Sequence, residues 1–266
     1  MLLAKWSSLS CPVIGMLHAP PLPGSPEYEG DMVSIRQSVL RDAEALVEGG
    51  VDGLMLENFG DSPFYPDRVP AITVAAMTSL ASDLRWRFDV PLGINVLRND
   101  GRSALAVAAA CGASFIRVNV LCGARVADQG LLQGIAHDLL RERASLRASS
   151  IQIWADVDVK HSAAFAERPL ADEVQDLIER GKADAVIVSG SATGQPVDLG
   201  TLSIVKDAAR STPVLVGSGV NSESIHLMLP YASGVIVGSS LKQDGSVWKP
   251  VDVSRVKPLV HAAHRS

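Results

Sequence analysis

The chain has 266 residues, of which 47% are hydrophobic and 20% charged, with a net charge of −5. This composition excludes a disordered chain, and an acidic balance without a basic stripe argues against nucleic acid as a partner. The length suits one α/β barrel domain over residues 1–266 better than two small domains.

Three scattered cysteines, Cys11, Cys111 and Cys122, lack metal-ligand spacing and fit a reducing compartment. No apolar run reaches membrane-spanning length, and no basic-then-apolar leader is present. The expectation is a soluble cytoplasmic protein, with peripheral membrane association left open.

Val13–His18 reads as the first strand, after a lead-in that carries Trp6. Residues 19–26 hold four prolines, so they form a stiff loop rather than helix or central strand. Residues 34–48 have helical periodicity and stop at Gly49-Gly50. Gly53–Glu57 is the second strand, followed by a long loop with Phe59, Phe64 and Tyr65. Pro70 suits the first turn of a helix over 70–87. The third strand, 92–96, precedes an alanine-rich helix over 102–111. The fourth, 115–120, precedes a loop over 121–130 and a helix over 131–148. The fifth strand and its exit span 151–160, with a helix over 170–180. The sixth is 185–189, followed by Gly190–Pro196 and a helix over 199–209. Val214–Val216 and Val235–Val237 are the last two strands. A helix over 223–229 lies between them, and one over 252–264 closes the chain.

Eight strand–helix pairs in this length predict a closed (β/α)8 TIM barrel, with a doubly wound open sheet as the alternative. The long loops after strands one, two, four and six then open at one face. The alanine-rich helix fits packing against either a second subunit or its own barrel, so a homo-oligomer stays open.

The last two strands each run into glycine: Gly217-Ser218-Gly219 and Gly238-Ser239. Glycines at strand ends let backbone N–H groups approach a ligand, and in this barrel class the last two loops are the usual phosphate site. These glycines also suit tight turns alone. Neither a Walker motif nor a full dinucleotide fingerprint accompanies them.

Strand alternation gives the second signal. In the fifth strand Ile153, Ala155 and Val157 share one face, and Trp154, Asp156, Asp158 and Lys160 the other. The same logic turns Arg117, Asn119 and Asn95 inward and delivers Glu57 and His18 at strand ends. With Ser189 these residues fill the C-terminal layer of a barrel interior that is normally apolar. An ion-pair network of Arg117 and Lys160 with Glu57 and Asp156 accounts for any one of them. The set as a whole points to a site, because buried charges are poor stabilisers.

Within that site Glu57 and Asp156 are the carboxylates suited to general acid–base work. Asn95 and Asn119 would orient a polyhydroxyl substrate, and Arg117 or Lys160 would stabilise negative charge. His18 reads as a base, a substrate donor or a core histidine. Lys160 also fits a Schiff-base lysine. No metal or cofactor is required, although Asp156-x-Asp158 with Glu57 offers oxygen ligands for Mg²⁺.

Several segments carry a family likeness. Val13–Pro26 (VIGMLHAPPLPGSP) resembles the opening signature of the BtpA family. Leu56–Asp61, Gly93–Asp100, Phe115–Asn119, Ala155–His161, Val188–Gly194 and Val216–Val220 resemble it too. The likeness covers residues 10–245. It implies a TIM barrel and a role in cyanobacterial photosystem I biogenesis or stability, as a peripheral thylakoid protein. Relatives in non-photosynthetic organisms, beside sugar-metabolism genes, imply an underlying enzymatic activity. The family pattern covers Glu57, Asn95, Asn119, Asp156 and Thr193.

The resulting expectation is a barrel that acts on a phosphorylated small molecule, a sugar phosphate or a nucleotide-related compound, as an isomerase, lyase or hydrolase. The rival is a non-catalytic assembly factor that presents Phe59, Phe64 and Tyr65 to a protein partner.

Overall fold

The computed structural model describes residues 2–190 and 197–265. Eight parallel strands close a barrel: β1 (Val13–His18), β2 (Gly53–Glu57), β3 (Leu92–Asn95), β4 (Phe115–Val118), β7 (Gln152–Val157), β9 (Ala185–Val188), β10 (Val214–Val216) and β11 (Gly234–Val237), with β11 pairing back to β1. The helices α1 (Met32–Glu48), α2 (Ala71–Arg87), α3 (Gly101–Cys111), α4 (Ala136–Ser145), α5 (Leu170–Gln175), α6 (Leu199–Ala209), α7 (Ile225–Met228) and α8 (Val253–His264) connect them. Aspartates start four of these helices. The side chains of Asp31, Asp100, Asp198 and Asp252 accept backbone N–H groups in the first turns of α1, α3, α6 and α8. Among the described residues no helix is long and apolar enough to cross a membrane.

Two departures from expectation lie between β4 and α5. The segment 121–133, expected as a loop and the start of a helix, is a hairpin of β5 (Ala124–Ala127) and β6 (Gly130–Gln133), joined by β8 (Ser162–Ala164) into a separate three-stranded sheet. The fifth barrel strand stops at Val157, and Asp158 takes a left-handed φ of 51°. A helix-like composition at 131–148 hid the hairpin, whose two-residue turn Asp128-Gln129 runs into Gly130 at φ 96°.

Strand alternation splits the core in two. One set of strand residues packs outward on the helices. The other set fills the barrel: Ile14, Met16, Met55, Phe115, Trp154, Ile187, Leu215 and Ile236, with Trp6 closing the N-terminal end. Trp154 stacks on Phe115 at 3.7 Å and an interplanar angle of 12°. Trp6 meets both rings near 6 Å and donates its indole N–H to the Asp52 carbonyl. The alanine-rich α3 buries Ala104, Leu105, Val107 and Ala108 in its own barrel.

Above this aromatic floor, parallel register sets the next layer. His18 lies beside Glu57, Glu57 beside Asn95, and Asn95 beside Arg117. Beyond β11, Lys242 forms a buried ion pair with Asp42 of α1 at 2.8 Å and ties the last loop to the first helix.

The aromatic stack depends on a missing side chain. A Cβ on Gly93 would lie 2.0 Å from the Phe115 ring, which Trp154 holds from its other side. Gly93→Ala is therefore expected to cost about 1–3 kcal/mol by overpacking. Urea unfolding checks this as a lowered midpoint with an unchanged slope.

Candidate functional site

The polar layer is built around a buried ion pair. Arg117 donates from Nε and Nη2 to Asp156, at 2.9 and 2.7 Å, and both side chains are almost wholly enclosed. Asn119 adds a third donor to Asp156 at 2.9 Å, and the Ser189 hydroxyl lies 3.4 Å from both partners. Burial alone would lower the Arg117 pKa; the Asp156 charge and hydrogen bonds outweigh it and hold the group above its usual value. Asp156 is thus occupied by donors, as the ion-pair account anticipates. It is poorly placed to move a proton.

Glu57 differs. Its Oε2 accepts from Asn95 Nδ2 at 2.6 Å, and among the described residues no cation is in ion-pair contact with it. The side chain reaches a cavity of about 490 Å³ at the C-terminal mouth of the barrel. Among the described residues, three buried polar atoms of this layer find no hydrogen-bond partner: Asn95 Oδ1, Asn119 Oδ1 and His18 Nδ1. Buried groups of this kind are normally satisfied; His18 and Asn119 line the cavity, whereas Asn95 is not among its lining residues. The His18 ring packs edge-on against Phe59 at 4.9 Å. Burial, then the charges of Lys242, Lys160 and Arg117, push its pKa down to about 3, so the imidazole is neutral.

The two glycine loops form the opposite wall. Gly217, Ser218, Gly219, Gly238, Ser239 and Ser240 all line the cavity. Gly217 N–H donates to the Val188 carbonyl, and the Ser218 hydroxyl accepts from Gly190 N–H at 2.6 Å. Among the described residues, no protein acceptor takes the amides of Gly219, Ser239 and Ser240. Glycine is needed at two of these positions. A Cβ on Gly217 would meet Ile187 at 2.7 Å, and one on Gly238 would meet the His18 ring at 2.8 Å.

Lys160 lines the cavity, and its backbone carbonyl accepts from Arg98 Nη2 at 2.6 Å. Burial and the nearby Arg117 charge hold the Lys160 amine below the usual lysine range. Asp158 does not join the layer. Once the strand ends, its carboxylate turns outward, 60% exposed, and pairs with Arg125 of the hairpin. The Asp156–Asp158–Glu57 oxygen cluster considered for Mg²⁺ therefore does not converge, and no group of three metal-ligating side chains gathers among the described residues. Thr193 lies outside the described residues.

Strand alternation missed the residues that loops deliver. Arg98, Asp128, Gln129, His161 and Trp248 line the cavity, and Phe59 and Phe64 form part of its wall. Phe59 is clamped between His18 and Trp248, whose ring lies 5.4 Å away, and of the three loop aromatics Tyr65 is the exposed one. The position of Arg98, three residues past β3, was the available signal, since barrel sites recruit such loops.

Two measurements follow from this geometry. Asp156→Ala leaves Arg117 buried and uncompensated, so a loss of roughly 3–5 kcal/mol is expected in denaturant unfolding. The neutral His18 gives a pH signature. Its folded pKa of about 3 lies below the ordinary 6.5, so the unfolded chain takes up the proton first. Its contribution to stability is complete above pH 6.5 and shrinks as pH falls toward 3. Subtracting the pH–stability profile of His18→Gln from that of the native chain should reveal this slope; parallel profiles would contradict the neutral ring.

Residues 10–265 match the model of the BtpA family. The chain is 46% identical over 251 residues to photosystem I biogenesis protein BtpA of Synechocystis, covering 94% of this chain and 87% of that protein. It is 47% identical over 252 residues to an uncharacterized protein of Thermococcus kodakarensis, covering 95% of each. Among solved structures, N-(5'-phosphoribosyl)anthranilate isomerase from Pyrococcus furiosus superposes with a TM-score of 0.57 at 14% identity, over 96% of this chain and all of that one. That likeness is one of barrel fold, whereas the sequence matches are of kinship: the chain belongs to the BtpA family.

Proposed function

We propose that the chain is a TIM-barrel enzyme acting on a phosphorylated small molecule, with the phosphate on the loops 217–219 and 238–240 and the hydroxylated remainder against Glu57, Asn95 and Asn119. The observation that carries this reading is the set of three partnerless amides, of Gly219, Ser239 and Ser240, on two adjacent loops of one cavity. Several open N–H groups around one cavity suit a multiply charged oxyanion. The open carbonyl oxygen of Asn119, which lines the cavity, suits a hydroxyl donor, as a sugar or ribose would supply. Glu57 is the floor carboxylate that reaches the cavity without an ion-pair partner, so proton transfer falls to it. Isomerases, lyases and hydrolases of such ligands share that step. The fold resemblance to a phosphoribosyl-substrate isomerase agrees with this reading without supplying it.

A second reading draws on the name of the Synechocystis relative: the barrel acts in assembly through protein contacts. The enclosure of Phe59 in the cavity wall removes one of the aromatic contacts that this reading offered.

A thermal-shift screen with inorganic phosphate, sugar phosphates and nucleoside monophosphates tests the enzyme reading. A ligand at a hundredfold its Kd stabilises by about 2.7 kcal/mol, and Ser239→Asp should abolish the shift. With a substrate in hand, Glu57→Gln should lower kcat by roughly 10²–10⁴-fold while the ligand-induced shift persists. Silence from every phosphate on the folded protein would sink the proposal and favour the assembly role.

A further inference from the structure

The mouth holds two cationic groups that the phosphate reading leaves unused. Arg98 is 5% exposed and follows β3; Lys160 follows β7. One N–H of the guanidinium donates to the Lys160 carbonyl. Among the described residues, no carboxylate is in ion-pair contact with either side chain. The three acids nearby hydrogen-bond to other groups. Asp156 is taken by Arg117 and Asn119, Glu57 accepts from Asn95, and Asp128 accepts from Gln129 at 2.5 Å. Burial leads the causes that hold both cations below their usual pKa; for each the Arg117 charge works in the same direction, and the charges of Glu57 and Asp156 work against it. A buried guanidinium with no carboxylate in contact gains from an anion that arrives to pair with it.

Position adds the second argument. In the barrel order, β3 stands diametrically opposite β10, which carries the Gly217–Gly219 loop. Arg98 therefore enters from the side opposite that loop, Lys160 enters two strands from it, and both line the same cavity as the glycine loops. Arg117 adds its charge to the floor beneath them but is already neutralised by Asp156.

We propose that Arg98 and Lys160 form a second anion subsite, so that the ligand is negatively charged at both ends: a phosphate on the glycine loops and a carboxylate or second phosphate across the mouth. This rests on the phosphate reading above and narrows its substrate class. A planar guanidinium with open donors beside a flexible ammonium accepts either oxyanion.

Matched probes separate the cases. Isothermal titration of the full chain compares glucose 6-phosphate with 6-phosphogluconate, and fructose 6-phosphate with fructose 1,6-bisphosphate. The second member of at least one pair should bind tenfold or more tightly, about 1.4 kcal/mol. The pair that shows the gain tells a carboxylate from a phosphate. Arg98→Gln and Lys160→Gln should each reduce the within-pair ratio to below threefold. Arg98 is nearly enclosed, so Lys160→Gln, at a half-buried position, decides the matter where R98Q does not fold. Equal affinity within both pairs, or a ratio that survives Lys160→Gln, overturns the second subsite while leaving the phosphate site standing. Failure of all four probes to bind overturns both.

Discussion

The mouth of this barrel depends on one buried ion pair. Arg117 and Asp156 sit on neighbouring strands, β4 and β7, and their charges meet where solvent does not reach. A pair in that setting contributes little net stability, and an apolar replacement would often serve as well. Its effect is organisational. Two bonds from Arg117 and one from Asn119 hold the Asp156 carboxylate in place. Asn119 then has its amide group committed and its carbonyl oxygen free. Glu57 and Asn95 repeat the arrangement one strand pair away, without a cation in contact. Two inward carboxylates thus differ in their neighbours: Asp156 has a cation in contact, whereas among the described residues Glu57 has none.

Side-chain size around that layer gives the cavity its asymmetry. The strands β1 to β7 of the barrel contribute His18, Glu57, Asn95, Arg117 and Asp156, whereas β10 and β11 end in Gly217 and Gly238. The lopsided layer opens space on the β10–β11 side and bares backbone amides there. The Gly238 position is constrained twice over, because any larger residue would displace the His18 ring that also braces Phe59. Beneath, the Phe115–Trp154 stack and Trp6 seal the barrel, so the cavity has a floor and does not become a channel.

Periodicity made the eight barrel strands and the inward faces of Glu57, Asn95, Arg117 and Asp156 legible before any coordinates, since a parallel register carries an alternating pattern directly into layers. It failed where the chain leaves the strand. Asp158 follows Asp156 by two and reads as its neighbour, but a left-handed turn ends the alternation and sends the carboxylate to Arg125. The hairpin at 124–133 was hidden for a related reason: short strands that pair outside the barrel leave a weak periodic trace. Arg98, Gln129 and Trp248 reach the cavity from loops, whose course no residue pattern encodes.

The segments that carry the family likeness divide along the same line. In Leu56–Asp61, Glu57 faces the cavity, but Asn58 binds the Leu97 amide and Asp61, and Asp61 holds the Leu22 amide of the proline-rich loop. Gly60 lets that loop lie against it, since a Cβ there would come within 2.4 Å of the Pro21 nitrogen. In Gly93–Asp100, Asn99 binds both backbone groups of Val120, and Asp100 caps α3 while holding the Val69 amide. Most of these signature residues therefore cross-link the loops that form the rim. Kinship in such segments speaks first to the shape of the mouth. The chemistry rests on the few side chains among them that face inward, and those few share an open hydrogen-bonding or ionic valence: Asn95 an oxygen, Glu57 a charge, Arg98 its remaining N–H donors. Such bracing holds these groups in fixed places, and preorganisation of that kind lowers the ordering cost of binding a polar ligand.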